Sequence, residues 1–122
     1  MQVSLLADSP FEPILTSREK RELHHELFCD GEFVGVDLSG ADLRNARFER
    51  TLLASCNLTG ADLRGAQFVL CDVRSVDLTS AKLGENDFTG TMLMDVVGLT
   101  GEDQSLIKWA GGEFQHPRAS LR

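Results

Sequence analysis

The chain has 122 residues, enough for one domain around one core, and its 42% hydrophobic content excludes disorder over most of its length. A net charge of −7 excludes direct nucleic-acid binding, which needs a basic footprint. No stretch is long enough to cross a membrane, and three cysteines without metal-ligand spacing point to free thiols in a reducing compartment, the cytoplasm.

Residues 1–25 read as an N-terminal arm and a capping helix. The first ten lack a basic region, so they are not read as a signal peptide. Val3, Leu5, Leu6, Phe11, Ile14 and Leu15 make residues 1–15 apolar, and the prolines favour an extended path. Residues 16–27, TSREKRELHHEL, have the pattern of a helix, with Thr16 as cap and Glu19 completing a capping box.

Residues 26–95 repeat every five. Phe28, Phe33, Leu38, Leu43, Phe48, Leu53, Leu58, Leu63, Phe68, Val73, Leu78, Leu83, Phe88 and Leu93 form an unbroken series of fourteen. Two positions before each stands a small or modest residue, Glu26 and Asn86 being the polar exceptions. A five-residue step scatters the large residues around an α-helix, and on a straight strand it turns every second one outward. A chain that turns a corner every five residues keeps all of them inside. Residues 36–48, 56–68 and 76–88 resemble one another, so the coil closes in twenty residues and has four sides. Phe28, Phe48, Phe68 and Phe88 should then stack. Glycines 35, 40, 60, 65 and 90 fall at corners. Fourteen repeats make three and a half coils, a rod of about 17 Å at the strand spacing.

In residues 96–122, Thr100 and Asp103 repeat the capping-box pattern, predicting a helix over about 102–110 that ends at Gly111–Gly112. Its apolar residues Leu106, Ile107 and Trp109 are candidates for contact with a second copy. Residues 113–122 read as a frayed tail.

Outward positions divide by side. Asp37, Asp42, Asp62 and Asp77 make a candidate acidic face: residues 26–95 hold twelve acidic and six basic residues. Leu52, Val69, Leu70, Met92 and Met94 make a candidate apolar interface, over which residues 1–15 are expected to lie.

No catalytic constellation is legible. Asp42 and Asp62 stack on a convex surface without the cleft that a carboxylate pair needs. His24 and His25 are adjacent rather than four apart, so no metal site is expected. Cys56 and Cys71 take inward small slots as filler, Cys29 is outward, and no phosphate-binding loop or other cofactor motif is present.

The segments ADLRN (41–45) and ADLRG (61–65), with VDLSG (36–40), CNLTG (56–60) and VDLTS (76–80), resemble the pentapeptide-repeat family, whose signature is A(D/N)Lxx. The resemblance implies an all-β solenoid, a right-handed quadrilateral parallel β-helix, here with short capping helices at both ends. It implies a non-catalytic protein–protein interaction or scaffold module. Some relatives are thought to inhibit DNA gyrase by imitating DNA, and some pair through C-terminal helices. DNA mimicry toward gyrase, a topoisomerase or another DNA-binding protein is therefore the alternative, and a homodimer is possible.

Overall fold

The computed structural model describes residues 2–6, as backbone, and residues 23–115. Within the repeats φ is positive at every fifth residue from His25 to Asp95. Five of these corners are glycine, and ten are not, among them Arg50, Leu70 and Ser75. A left-handed conformation costs a non-glycine residue about 1–2 kcal/mol. The corners are therefore imposed by what lies between them, the packed interior and the hydrogen bonds joining successive coils.

Those bonds run between residues twenty apart. Strand β1 is Gln2–Leu6, β2 Leu27–Val34, β3 Arg47–Glu49, β4 Leu52–Ala54, β5 Gln67–Val69, β6 Asp72–Arg74, β7 Met92–Met94 and β8 Glu113–Gln115. Strand β2 bends through a corner, so it pairs with β3 at Phe28↔Phe48 and with β4 at Phe33↔Leu53. The first side of the coil is β2–β3–β5, and the second is β2–β4–β6–β7. Isolated bridges build the third side, Asp37↔Asn57↔Asp77↔Val97, and the fourth, Asp42↔Asp62↔Lys82. Every pairing is parallel. The four-sided coil is the one that the twenty-residue period requires.

Thirteen of the fourteen large residues are buried, and Leu83, on the last rung of the fourth side, is half-buried. Phe28, Phe48, Phe68 and Phe88 form the expected stack, with ring centroids 4.8, 4.7 and 5.2 Å apart. That separation is the rung spacing of a sheet, so ring stacking and backbone pairing are satisfied together.

The small inward slots do more than fill space. Thr51 Oγ1 donates to Phe28 O at 3.1 Å, Cys56 Sγ to Phe33 O at 3.1 Å and Cys71 Sγ to Phe48 O at 3.2 Å. Thr91 Oγ1 donates to Phe68 O in the same way. Each reaches back 23 residues to the coil beneath. The two inner cysteines are donors as well as filler. Asn86, the polar exception, donates its Nδ2 to Leu63 O and Ala66 O and accepts at Oδ1 from Gly84 N. Glu26, the other exception, is exposed at the start of the first coil.

The ends differ from expectation. Residues 2–6 form β1, which pairs with β2 at Leu5↔Phe33 and Leu6↔Val34. They add a rung to the second side instead of lying over the outward apolar residues, because the open edge of β2 offers backbone partners. The rest of the arm and the part of the expected N-terminal helix over 16–22 lie outside the described residues. Residues 23–27 are turn and strand, His25 taking φ 63° at the first corner.

At the other end, α1 is Gly101–Trp109. Its capping box is complete: Asp103 N donates to Thr100 Oγ1, and Thr100 N to the Asp103 carboxylate. It ends in a Schellman turn, Gly112 N to Ile107 O and Gly111 N to Lys108 O, with Gly111 at φ 101°. Ile107, wholly buried, closes the end of the core. The chain then returns as β8, pairing Phe114 with Leu93, so residues 113–115 are an ordered rung and not tail. With β1 and β8 the second side has six rungs, about 24 Å rather than 17 Å.

Two outcomes follow. Phe68→Asp buries an unpaired charge and should cost more than roughly 3 kcal/mol, seen as loss of the circular-dichroism spectrum at 25 °C. Ser75→Gly, at an exposed corner with φ 54°, should raise stability by about 1 kcal/mol in urea titration.

Candidate interaction faces

The acidic residues of the repeats are bound into their own corners. On the third side, Asp37 Oδ1 accepts from Ser39 N at 2.9 Å and Ser39 Oγ at 2.6 Å, and Asp77 Oδ1 accepts from Thr79 N and Oγ1 at the same distances. Asn57, between them, accepts from Thr59 N at 2.9 Å. A side-chain oxygen two residues before the corner amide fixes the bend, as in an Asx turn. Placing an amide between two carboxylates also avoids stacking like charges one rung apart.

On the fourth side the clamp is arginine. Arg44 grips Asp42 through Nε at 2.9 Å and Nη2 at 2.8 Å, and Arg64 grips Asp62 at 2.8 and 2.6 Å. His24 Nδ1 stands 3.4 Å from Asp42 Oδ2. The Arg44 hydrogen bonds pull the Asp42 carboxyl down to about 2, and Arg64 lowers Asp62 in the same way. Asp77 and Asp87 are lowered by their threonine hydroxyls and amides. Asp42 and Asp62 are thus ion-paired structural groups. With Arg44, Arg64 and Lys82 beside them, the fourth side is not acidic. The candidate acidic face is reduced to Asp37 and Asp77.

The five candidate apolar residues fall on different surfaces. Val69 follows Glu49 on the first side, and Leu70 occupies a corner, exposed at 57%. Leu52 and Met92 share a column of the second side with Asp72 between them, and Met94 lies between Arg74 and Gln115. Arg74 pairs with Asp72 at 2.7 Å. No continuous apolar patch results, because residues twenty apart decide what is adjacent on the surface.

Of the candidate dimer residues, Ile107 is wholly buried and Leu106 packs on the core, whereas Trp109 is 90% exposed. Val97 and Leu27 are exposed apolar residues that reading each segment separately did not reveal. Column position would have found Val97, since it continues the polar series 37, 57, 77.

Burial raises both inner thiols, Cys71 to about 11, which keeps them protonated as donors. Cys29 is half-buried, 3.8 Å from Glu49 Oε1. Among the described residues no group of His, Cys, Asp and Glu could hold a metal ion, and no helix is long and apolar enough to cross a membrane. His116 lies outside them.

Acid should unfold the coil at low pH only. The unfolded aspartates protonate near 3.8, above the folded values, so the unfolded chain takes up protons first as pH falls. Melting temperature should hold from neutrality to roughly pH 4 and decline from there toward about pH 2 as these carboxylates protonate.

Residues 32–68 match the family described as pentapeptide repeats, in eight copies. One similar solved structure is a pentapeptide repeat protein from the Arabidopsis thaliana thylakoid lumen, 23% identical, with a TM-score of 0.62 over 67% of this chain and 57% of that one. Another is HetL, a pentapeptide repeat protein involved in heterocyst differentiation regulation from the cyanobacterium Nostoc sp. strain PCC 7120. It is 29% identical, with a TM-score of 0.50 over 66% of this chain and 36% of HetL. The chain thus spans less than two thirds of either. No curated protein matches it. The fold it shares with these neighbours is the right-handed quadrilateral β-helix.

Proposed function

We propose that this chain, whose coil is built of pentapeptide repeats, is a non-catalytic protein-binding module. The observation that carries this reading is the clamping of outward side chains. Aspartates and arginines at successive rungs are held by bonds to their own corners or to each other, on a convex surface. Such a face is already ordered, so a partner meets it at little cost in side-chain entropy. Among the described residues, Asp37, Asp42, Asp62 and Asp77 are each held by local donors rather than set up as a catalytic pair. The likeness to HetL, a protein involved in regulation, is consistent with a role exerted through contact. Three unpaired thiols fit the cytoplasm.

The alternative, imitation of DNA toward gyrase or another DNA-binding protein, asks for negative charge at regular spacing along the rod. The arginine pairs on the fourth side and the amide of Asn57 interrupt that charge, so binding through shape and mixed polarity fits better. Pairing of two copies through α1 would rest on Trp109, and Trp109→Ala would then lower the sedimentation coefficient to that of one chain.

Affinity capture compares the wild type with Asp37→Lys/Asp77→Lys, both checked as folded by circular dichroism. The module reading expects a specific partner whose retention survives duplex DNA as competitor and falls gradually with salt. Release by duplex DNA, together with loss in the double variant, would establish mimicry instead. No partner retained by the folded wild type would overturn both.

A further inference from the structure

The second side is the tallest face of the coil, and its outward residues alternate along the axis. Its first column runs Glu32, Leu52, Asp72, Met92 and Glu113 in register. Beside Leu52 stands Ala54, and beside Met92 stands Met94. Between these apolar rungs Asp72 and Arg74 close on each other. Glu32 and Glu113 are exposed four rungs apart, Glu113 on the last rung and Glu32 on the rung beside β1, where Ser4 is its register partner. From Glu32 to Glu113 the face therefore reads acidic, apolar, ion pair, apolar, acidic.

Spacing selects the occupant. The apolar rungs are two apart, about 9.6 Å, and the flanking carboxylates four apart, about 19 Å. On an α-helix, residues seven apart rise about 10.5 Å and residues fourteen apart about 21 Å, and both spacings stay on one face, within reach of a flexible basic side chain. One face of an extended strand repeats every ~6.8 Å and falls out of step. We infer that the second side receives an amphipathic α-helix lying along the coil axis, with apolar residues seven apart and a basic residue near each end. The helix sets its apolar residues on Leu52 and on Met92 with Met94, passes over the neutralised Asp72–Arg74 pair, and places its basic ends on Glu32 and Glu113. This rests on the module reading and names the face and the partner's chemistry.

The test uses the full chain and two labelled sixteen-residue peptides of one composition. One carries leucines seven apart with a lysine near each end. The other holds the same residues in an order whose central prolines break the helix, the first peptide carrying its prolines at the N-terminus. Binding is read by fluorescence anisotropy and by amide chemical-shift mapping. The helical peptide should bind and shift the amides of β4, β6 and β7. Glu32→Lys/Glu113→Lys, at exposed positions, should weaken it about tenfold or more, while Asp37→Lys/Asp77→Lys on the third side changes it less than about twofold. Absence of binding, equal binding by the broken peptide, shifts confined to another side, or equal loss in both variants would overturn the assignment. The capture experiment judges the module reading independently of side. A partner kept by the Glu32→Lys/Glu113→Lys chain would therefore reject this face and leave that reading standing.

Discussion

Closure of the backbone in twenty residues governs everything else in this protein. A side of five residues can send one large and one small side chain inward before the chain must turn. The turn places every fifth residue at positive φ, whether or not it is glycine. The cost at each non-glycine corner is balanced by burial and by bonds to the coils on either side. The phenylalanine stack shows how closely the two are matched, since its 4.7 to 5.2 Å separations are those of the rungs themselves.

Inside this frame polar groups are economical. Carbonyls of the large residues at several strand-bounded corners are met by a hydroxyl or thiol from the next coil. Threonine and cysteine serve alike at these sites because each has a small body and one donor. Among the described residues every buried side-chain nitrogen and oxygen has a partner. Outside, the same thrift binds Asp37, Asp42, Asp62 and Asp77 to local donors. What remains for a partner is the pattern that the columns make together.

The repeat made the fold legible, since a fourteen-fold series of large residues admits few geometries. It also revealed the four sides and the aromatic stack, while the spacing of Thr100 and Asp103 beyond it revealed the capping box. The terminal rungs were hidden because they break the period. Residues 2–6 pair with β2 at a separation unlike twenty, and β8 follows β7 by twenty-one because a helix intervenes. The faces were only partly legible. Leu52, Leu70 and Met92 look alike in the chain, yet what surrounds each is set by residues twenty positions away. The aspartates look like free charge until the arginine two residues on is seen to fold back.

The helix α1 adds a further consequence. It plugs the coil with Ile107 at one angular position and returns the chain to the second side. Length in such a molecule is therefore quantised. An insertion of five residues would turn everything beyond it by a quarter, bringing the plug over the wrong side and separating β8 from β7. An insertion of twenty would lift the cap by one rung and leave its orientation unchanged. Descendants of this chain can lengthen by whole coils, but hardly by anything less.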